Sequence, residues 1–336
     1  MKAAKFILFL IAGIALISGC GKPNDPEIPE VPDISGNYKI VGRIATSGFA
    51  QDLVKDQGLL YIAQGEGGLF IADVSNPANP VAVSQLTEDV RGYSTRIIKQ
   101  DSVIYLAAGS FGLTVVNVSN PEQPFVTVSN LNMKPAKNLH IFGKYLLSAI
   151  SEQGVKIAEI SYPEQPDIRG SISTKGYATG ITTSSDTSLL FVSCGEMGLS
   201  VFDISDFQDG YPSTIPAGWC DTPGYAEAVV LDESRSLAFL SCGYEGLQII
   251  SYADTANVHI VGNYAADGYA KDLILDNNKI YMTTQKGGLL ILDVSMPSDP
   301  KLLGTVLTSY AQGITSDDKY IYLADEEEGL IVIKKP

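Results

Sequence analysis

Gly288-Leu-Leu-Ile-Leu-Asp-Val-Ser-Met-Pro-Ser-Asp-Pro300 decides how the whole chain is read, because copies of it recur. Clear copies are Gly68-Leu-Phe-Ile-Ala-Asp-Val-Ser-Asn-Pro-Ala-Asn-Pro80, Gly112-Leu-Thr-Val-Val-Asn-Val-Ser-Asn-Pro-Glu-Gln-Pro124 and Gly154-Val-Lys-Ile-Ala-Glu-Ile-Ser-Tyr-Pro-Glu-Gln-Pro166. Looser copies begin at Gly198, Gly246 and Gly329. The apolar, β-branched run suits a buried strand, and the Asp-Val-Ser-x-Pro after it suits a stop. There the carboxylate and hydroxyl cap backbone N–H groups while proline denies the ladder a donor. The second Pro suits the start of an exposed edge strand. Each unit therefore reads inner strand, turn, outer strand.

The opening glycines lie at 68, 112, 154, 198, 246, 288 and 329, a period of 41 to 48 residues. A second marker keeps the same register: Gly48-Phe-Ala50, Gly92-Tyr-Ser94, Lys134-Pro-Ala136, Gly176-Tyr-Ala178, Gly224-Tyr-Ala226, Gly268-Tyr-Ala270 and Ser309-Tyr-Ala311. Between the markers lie two further short apolar runs, such as Asp52-Leu-Val-Lys55 and Leu59-Leu-Tyr-Ile-Ala63, joined by turn residues. Four strands in about 43 residues is the period of a propeller blade. The chain is thus expected to be all-β, a seven-bladed β-propeller of four-stranded blades. The last unit ends at Lys335-Pro336 after its third strand, whereas the array opens with an unpartnered Tyr38-Lys-Ile-Val-Gly-Arg-Ile44. That segment matches the outer strands Ile260-Val-Gly-Asn-Tyr264 and Leu302-Leu-Gly-Thr-Val306, so it is predicted to complete the last blade and close the ring.

The Gly-Leu-x-Ile-x-Asp-Val-Ser-x-Pro-x-x-Pro units resemble those of the LVIVD-repeat family of bacterial cell-surface proteins, from Tyr38 to the C-terminus. The resemblance implies a surface propeller and supplies no catalytic residues.

Residues 1–19 have the layout of a secretory leader: Lys2 and Lys5 precede the apolar run Phe6 to Ile17, too short for a mature span. Ile17-Ser18-Gly19-Cys20 resembles a bacterial lipobox, so Cys20 is expected to carry lipid. Residues 20–35 are rich in proline and acid and read as a solvated tether, leaving 36–336 for the propeller. Gly21 after the cysteine favours the outer membrane, on its surface or periplasmic side. The chain has 23 basic and 38 acidic residues, and removing Lys2 and Lys5 leaves 21 against 38, or −17. Such a balance argues against a nucleic-acid partner.

Catalytic equipment is thin. His140 and His259 fall in different strand types and read as structural, and no phosphate loop or nucleophile elbow is present. No catalytic residue and no metal ligand set is assigned. The run Asp325-Glu-Glu-Glu328 reads as a solvated acidic loop, with calcium as the alternative occupant. With Cys20 lipidated, Cys194, Cys220 and Cys242 leave one thiol unpaired. Cys220 is expected within disulfide reach of Cys242 or Cys194, and three buried thiols are the alternative.

The proposed binding face follows from the second marker, which lies between one blade's outer strand and the next blade's inner strand. Phe49, Tyr93, Tyr177, Tyr225, Tyr269 and Tyr310 should ring the axis near one face, joined by the fourth-unit insertion with its Trp219 and by Glu66, Glu196, Glu245 and Glu326 to Glu328. Such aromatics are either buried wedges between blades or exposed contact surface for a sugar or protein segment, and exposure separates the two. The expected function is a monomeric cell-surface lipoprotein that binds or scaffolds a protein or glycan without catalysis and without cofactor. The alternative is a propeller hydrolase, lyase or oxidoreductase with a metal at the channel mouth.

Overall fold

The computed structural model describes residues 34–207 and 216–336. The leader at 1–19, Cys20 and the tether as far as residue 33 lie outside the described residues, as does part of the fourth-unit insertion. The described residues form seven four-stranded antiparallel sheets around a common axis. Blade one is β2–β5 (Asp52–Asp56, Leu59–Ala63, Leu69–Asp73, Val81–Leu86) and blade two is β6–β9 (Arg96–Gln100, Val103–Ala107, Leu113–Asn117, Phe125–Leu131). Blade three is β10–β13 (Asn138–Phe142, Tyr145–Ala149, Val155–Glu159, Asp167–Ile172) and blade four is β14–β17 (Gly180–Thr183, Leu189–Ser193, Leu199–Asp203, Pro216–Cys220). Blade five is β18–β21 (Ala228–Asp232, Leu237–Ser241, Leu247–Ser251, His259–Tyr264) and blade six is β22–β25 (Asp272–Asp276, Lys279–Thr283, Leu289–Asp293, Lys301–Val306). Blade seven joins β26–β28 (Ala311–Ser316, Tyr320–Asp325, Gly329–Lys334) to β1 (Lys39–Ile44), as the sequence predicts. No helix among the described residues is long and apolar enough to cross a membrane.

The second and third strands carry almost unbroken apolar runs because neighbouring blades cover both of their faces; β7 and β8 are buried at every residue. Each core cluster accordingly lies between two adjacent blades. The seam between blades seven and one is packed like the others, with Tyr322, Leu330 and Val332 against Leu53, Ile62 and Phe70. The Asp-Val-Ser turns work as the sequence implies: Ser75 N donates to Asp73 Oδ1 at 2.7 Å, and Ser295 N donates to Asp293 Oδ1 at 2.8 Å. These bonds hold both carboxyls below the usual range.

Glycine in the outer strands has a packing reason. A Cβ on Gly262 would lie 1.9 Å from Pro297 O, so the next blade's proline turn reaches the β21 bulge only because no side chain is there. At Gly304 the same space is filled by Ser35 O, 2.6 Å from a Cβ, and Thr305 N donates to Ile34 O at 2.7 Å. Residues 34–36 thus replace the proline turn that blade seven, split between the chain's two ends, does not have. Tyr38, at the position of the second proline, is buried edge-on against Tyr281, their hydroxyls 3.1 Å apart. Ring closure therefore begins before Tyr38, earlier than the repeat pattern alone indicates.

Candidate functional site: the channel mouth and aromatic face

Every inner strand starts at the same face, where the turns between second and third strands also lie. The residue after each Gly-Tyr-Ala marker points into the channel mouth: Gln51, Thr95, Lys137, Thr179, Glu227, Lys271 and Gln312, one from each blade, line a cavity of about 180 Å³ together with Arg96 and Tyr225. The next residue along each inner strand is Asp52, Arg96, Asn138, Gly180, Ala228, Asp272 or Gly313. Together these form the next layer below.

Arg96 crosses that lower layer. From blade two its Nη1 reaches Asp272 Oδ2 on blade six at 2.6 Å, and Asp52 Oδ1 on blade one at 3.6 Å. Glycine at 313 leaves room for this, since a Cβ there would sit 2.8 Å from Asp52 Oδ1. Asp52 Oδ2 also accepts from Ile97 N at 3.0 Å, tying blade one to blade two. Burial and the neighbouring Asp272 push the Asp52 carboxyl up to about 6, with Arg96 opposing them. Burial also works against the Arg96 charge, but Asp272 and Asp52 outweigh it and keep the guanidinium protonated. Below Arg96 a second cavity of about 250 Å³ is lined by Asn138, Ile181, Thr182 and Val229 among others. The sequence reading missed this group. Its signal was available, in that the position is charged in three blades and glycine or alanine in three others.

Around the mouth, side chains bind one another. Tyr269 OH donates to Glu227 Oε1 at 2.7 Å and Lys271 Nζ to Glu227 Oε2 at 2.9 Å. Gln51 and Gln312 both donate to Glu326 Oε1, at 2.9 and 2.6 Å. Proximity to Glu227, after burial, raises the Tyr225 and Tyr269 phenols.

None of the six marker aromatics is buried. Phe49 and Tyr177 are 55% and 51% exposed, Tyr93 is exposed, and Tyr225, Tyr269 and Tyr310 are half-buried. They lie over the second-strand turn of the preceding blade: a Cβ on Gly65, Gly195 or Gly243 would meet the ring of Tyr93, Tyr225 or Tyr269 within 3.0 Å. Of the six, only Tyr225 lines the mouth cavity itself. The same face exposes Phe111, Met197 and Tyr244 in those turns, the last 77% exposed and edge-on to Tyr269 at 5.1 Å. Trp219 belongs here as expected, near the end of β17, its Nε1 donating to Met197 O at 2.6 Å and Lys175 Nζ 4.0 Å from the ring centroid. The strand ends that the insertion joins, Asp203 of β16 and Pro216 of β17, lie at the opposite face, and residues 208–215 between them lie outside the described residues.

The bridge expected from Cys220 to Cys242 or Cys194 is not present in the structure; all three are buried free thiols. Cys194 Sγ donates to Val192 O and Cys242 Sγ to Thr222 Oγ1, so they behave as small core residues. His140 shares a 3.0 Å hydrogen bond with Thr183, and burial lowers its pKa to about 4; His259 Nδ1 bonds Asn257 O at 2.8 Å. The acidic run is engaged: Asp325 Oδ1 accepts from Glu327 N and Glu328 N, both at 3.0 Å, and Glu328 pairs with Arg43 at 2.7 Å. Among the described residues no group of three or more His, Cys, Asp or Glu is placed to hold a metal.

The LVIVD repeat family model matches residues 47–87, 93–130, 267–308 and 309–333, which fall in four blades adjacent around the closed ring. No curated protein sequence matches the chain. Among solved structures, the computationally designed Ika8 protein is similar with a TM-score of 0.63 at 9% identity, over 88% of this chain and 99% of that one. A chain of the mitotic checkpoint complex is similar with a TM-score of 0.68 at 13% identity, over 90% and 92%. At such identities the likeness concerns the fold alone.

Proposed function

Because the chain carries LVIVD repeats in four of its seven blades, we propose that it is a repeat propeller whose work is binding rather than catalysis, on a bacterial cell surface. The observation that carries this is the exposure of Phe49, Tyr93 and Tyr177 together with Phe111, Trp219 and Tyr244 on one face. Rigid rings with polar handles give a large contact area at small entropic cost, which suits a saccharide chain or an extended protein segment. The carboxylates nearest the axis are held by Arg96, Lys271, Tyr269 and the two glutamines, which favours the binding reading over a hydrolase, lyase or oxidoreductase. The protein works as a monomer without nucleic acid and without a cofactor, held by lipid on Cys20 at the outer membrane.

Two measurements test this. With Tyr177→Ala and Trp219→Ala combined, binding of the full chain to the cell-wall and capsular polysaccharides or surface proteins of its host should weaken about tenfold or more, as expected for aromatic anchors. Tyr162→Ala, 79% exposed on the opposite face, should leave binding unchanged. The reverse pattern would place the site on the wrong face. Expressed with its own leader, the protein should partition into detergent and yield an N-terminal peptide of lipid-modified mass beginning at Cys20; a water-soluble form cleaved elsewhere would overturn the anchor.

A further inference from the structure

We propose that the channel mouth is a separate site for a small hydroxylated monocarboxylate of the sugar-acid type. This goes beyond the aromatic-face reading and rests on the mouth alone.

The lining groups differ in what they have left to offer a ligand. Glu227 is neutralised by Lys271 and Tyr269, and Glu326 accepts from both glutamines. Asp52 and Asp272 lie below, against Arg96. The carboxylates around the mouth are therefore already engaged by the protein's own donors. Donors remain in excess. Lys137 is exposed at the mouth with no acceptor for its ammonium among the described residues, and Lys271 Nζ has spare hydrogens beyond its single bond to Glu227. An ammonium with no carboxylate in contact favours one negative charge, through a charge-assisted hydrogen bond. The glutamine Oε1 atoms and the hydroxyl oxygens of Thr95 and Thr179 accept hydrogen bonds, which suits a ligand carrying hydroxyls as well as its carboxylate.

Size sets the rest. A cavity of about 180 Å³ is smaller than the roughly 300–1,000 Å³ of drug-sized sites, so it takes one ring or a short acid. Arg96 closes it from beneath, which rules out a chain threading the axis. Lys271, Gln51 and Gln312 are held by Glu227 and Glu326 before any ligand arrives, so the ordering cost of binding falls mainly on Lys137.

The test is calorimetric titration of the full chain in detergent with glucuronate and with glucose at matched ionic strength. Glucuronate should bind, and glucose should bind at least about tenfold more weakly, the difference made by one charge-assisted contact. Lys137→Met should weaken glucuronate about tenfold and leave the response to glucose as it was. Tyr177→Ala combined with Trp219→Ala should leave glucuronate binding intact, so failure of the mouth site and failure of the aromatic face are told apart. An oligosaccharide ending in a uronate that displaces free glucuronate would identify a glycan end as the source, and one that does not would identify the free acid. Equal affinity for both sugars, no glucuronate binding, or indifference to Lys137→Met would each overturn the proposal.

Discussion

Deletion of residues 34–44 is expected to lower the melting temperature by at least about 10 °C or to drive the protein into aggregates. At this chain length roughly 2 °C is lost per kcal/mol. Tyr38 alone accounts for a large part, because truncating a buried aromatic costs about 3–5 kcal/mol. Its loss also strands the Tyr281 hydroxyl, whose partner it is. Beyond the ring contact, the deletion strips the partner from β28, from Lys39 opposite Lys334 to Ile44 opposite Leu330, and exposes that edge to other chains. It removes the support of Ser35 and Gly36 at Gly304 and the Arg43–Glu328 pair as well. A peptide spanning 34–44 added in trans should restore part of the lost melting temperature. A deletion variant that stays monomeric with unchanged melting would refute closure by this strand.

The second large effect is expected at Arg96. Replacing it with Met leaves Asp52 and Asp272 facing a buried space without their cation, a loss of about 3–5 kcal/mol. Adding Asp52→Asn and Asp272→Asn should recover most of it, since the carboxylates rather than the missing arginine are then the problem. The pH dependence has a definite sign. Asp52 titrates near 6 in the fold against 3.8 for the free side chain, so the folded state holds the extra proton between those values. Its contribution to stability therefore grows as pH falls from about 6 towards 3.8 and is flat above, spanning at most about 3 kcal/mol. Asp52→Asn, whose carbonyl can still accept from Ile97 N, should abolish that component. Urea titrations of parent and variant at pH 4, 5, 6 and 7 give it as a difference, which cancels the opposite trend of carboxyls such as Asp73 and Asp293. A difference that does not change with pH would show that the fold leaves the Asp52 carboxyl where it stands in the unfolded chain.

Much of the fold could be read from the chain because each blade repeats one instruction and errors in a single copy do not shift the register. Gly288 and Tyr269 kept their meaning in every looser unit. The closing strand was legible from the match between Val41-Gly42 and Val261-Gly262. The pairing in the channel was not, although the charged and small residues at that position were visible, because Arg96 meets Asp272 only once the ring has seven blades, and nothing local to either residue announces a partner so far along the chain. Phe111 and Tyr244 were passed over since turn positions between two glycines read as turn chemistry whatever fills them. Trp219 reaches the expected face because β17 runs back towards it and ends beside the turn that carries Met197. The cysteines at 194 and 242 occupy matching places in adjacent blades, which suggested a bridge from Cys220, yet Cys194 lies in a different seam, and Cys242, in the same seam as Cys220, bonds Thr222 instead.

With Arg96 lying across the bore, the axis is two wells back to back that share one floor. Whatever enters the upper well must leave by the same opening, so its residence time is governed by groups at a single mouth, and the lower well exchanges with solvent on its own schedule. Shortening the side chain at position 96 would join the two into a through-passage, and occupancy of one end would then be felt at the other.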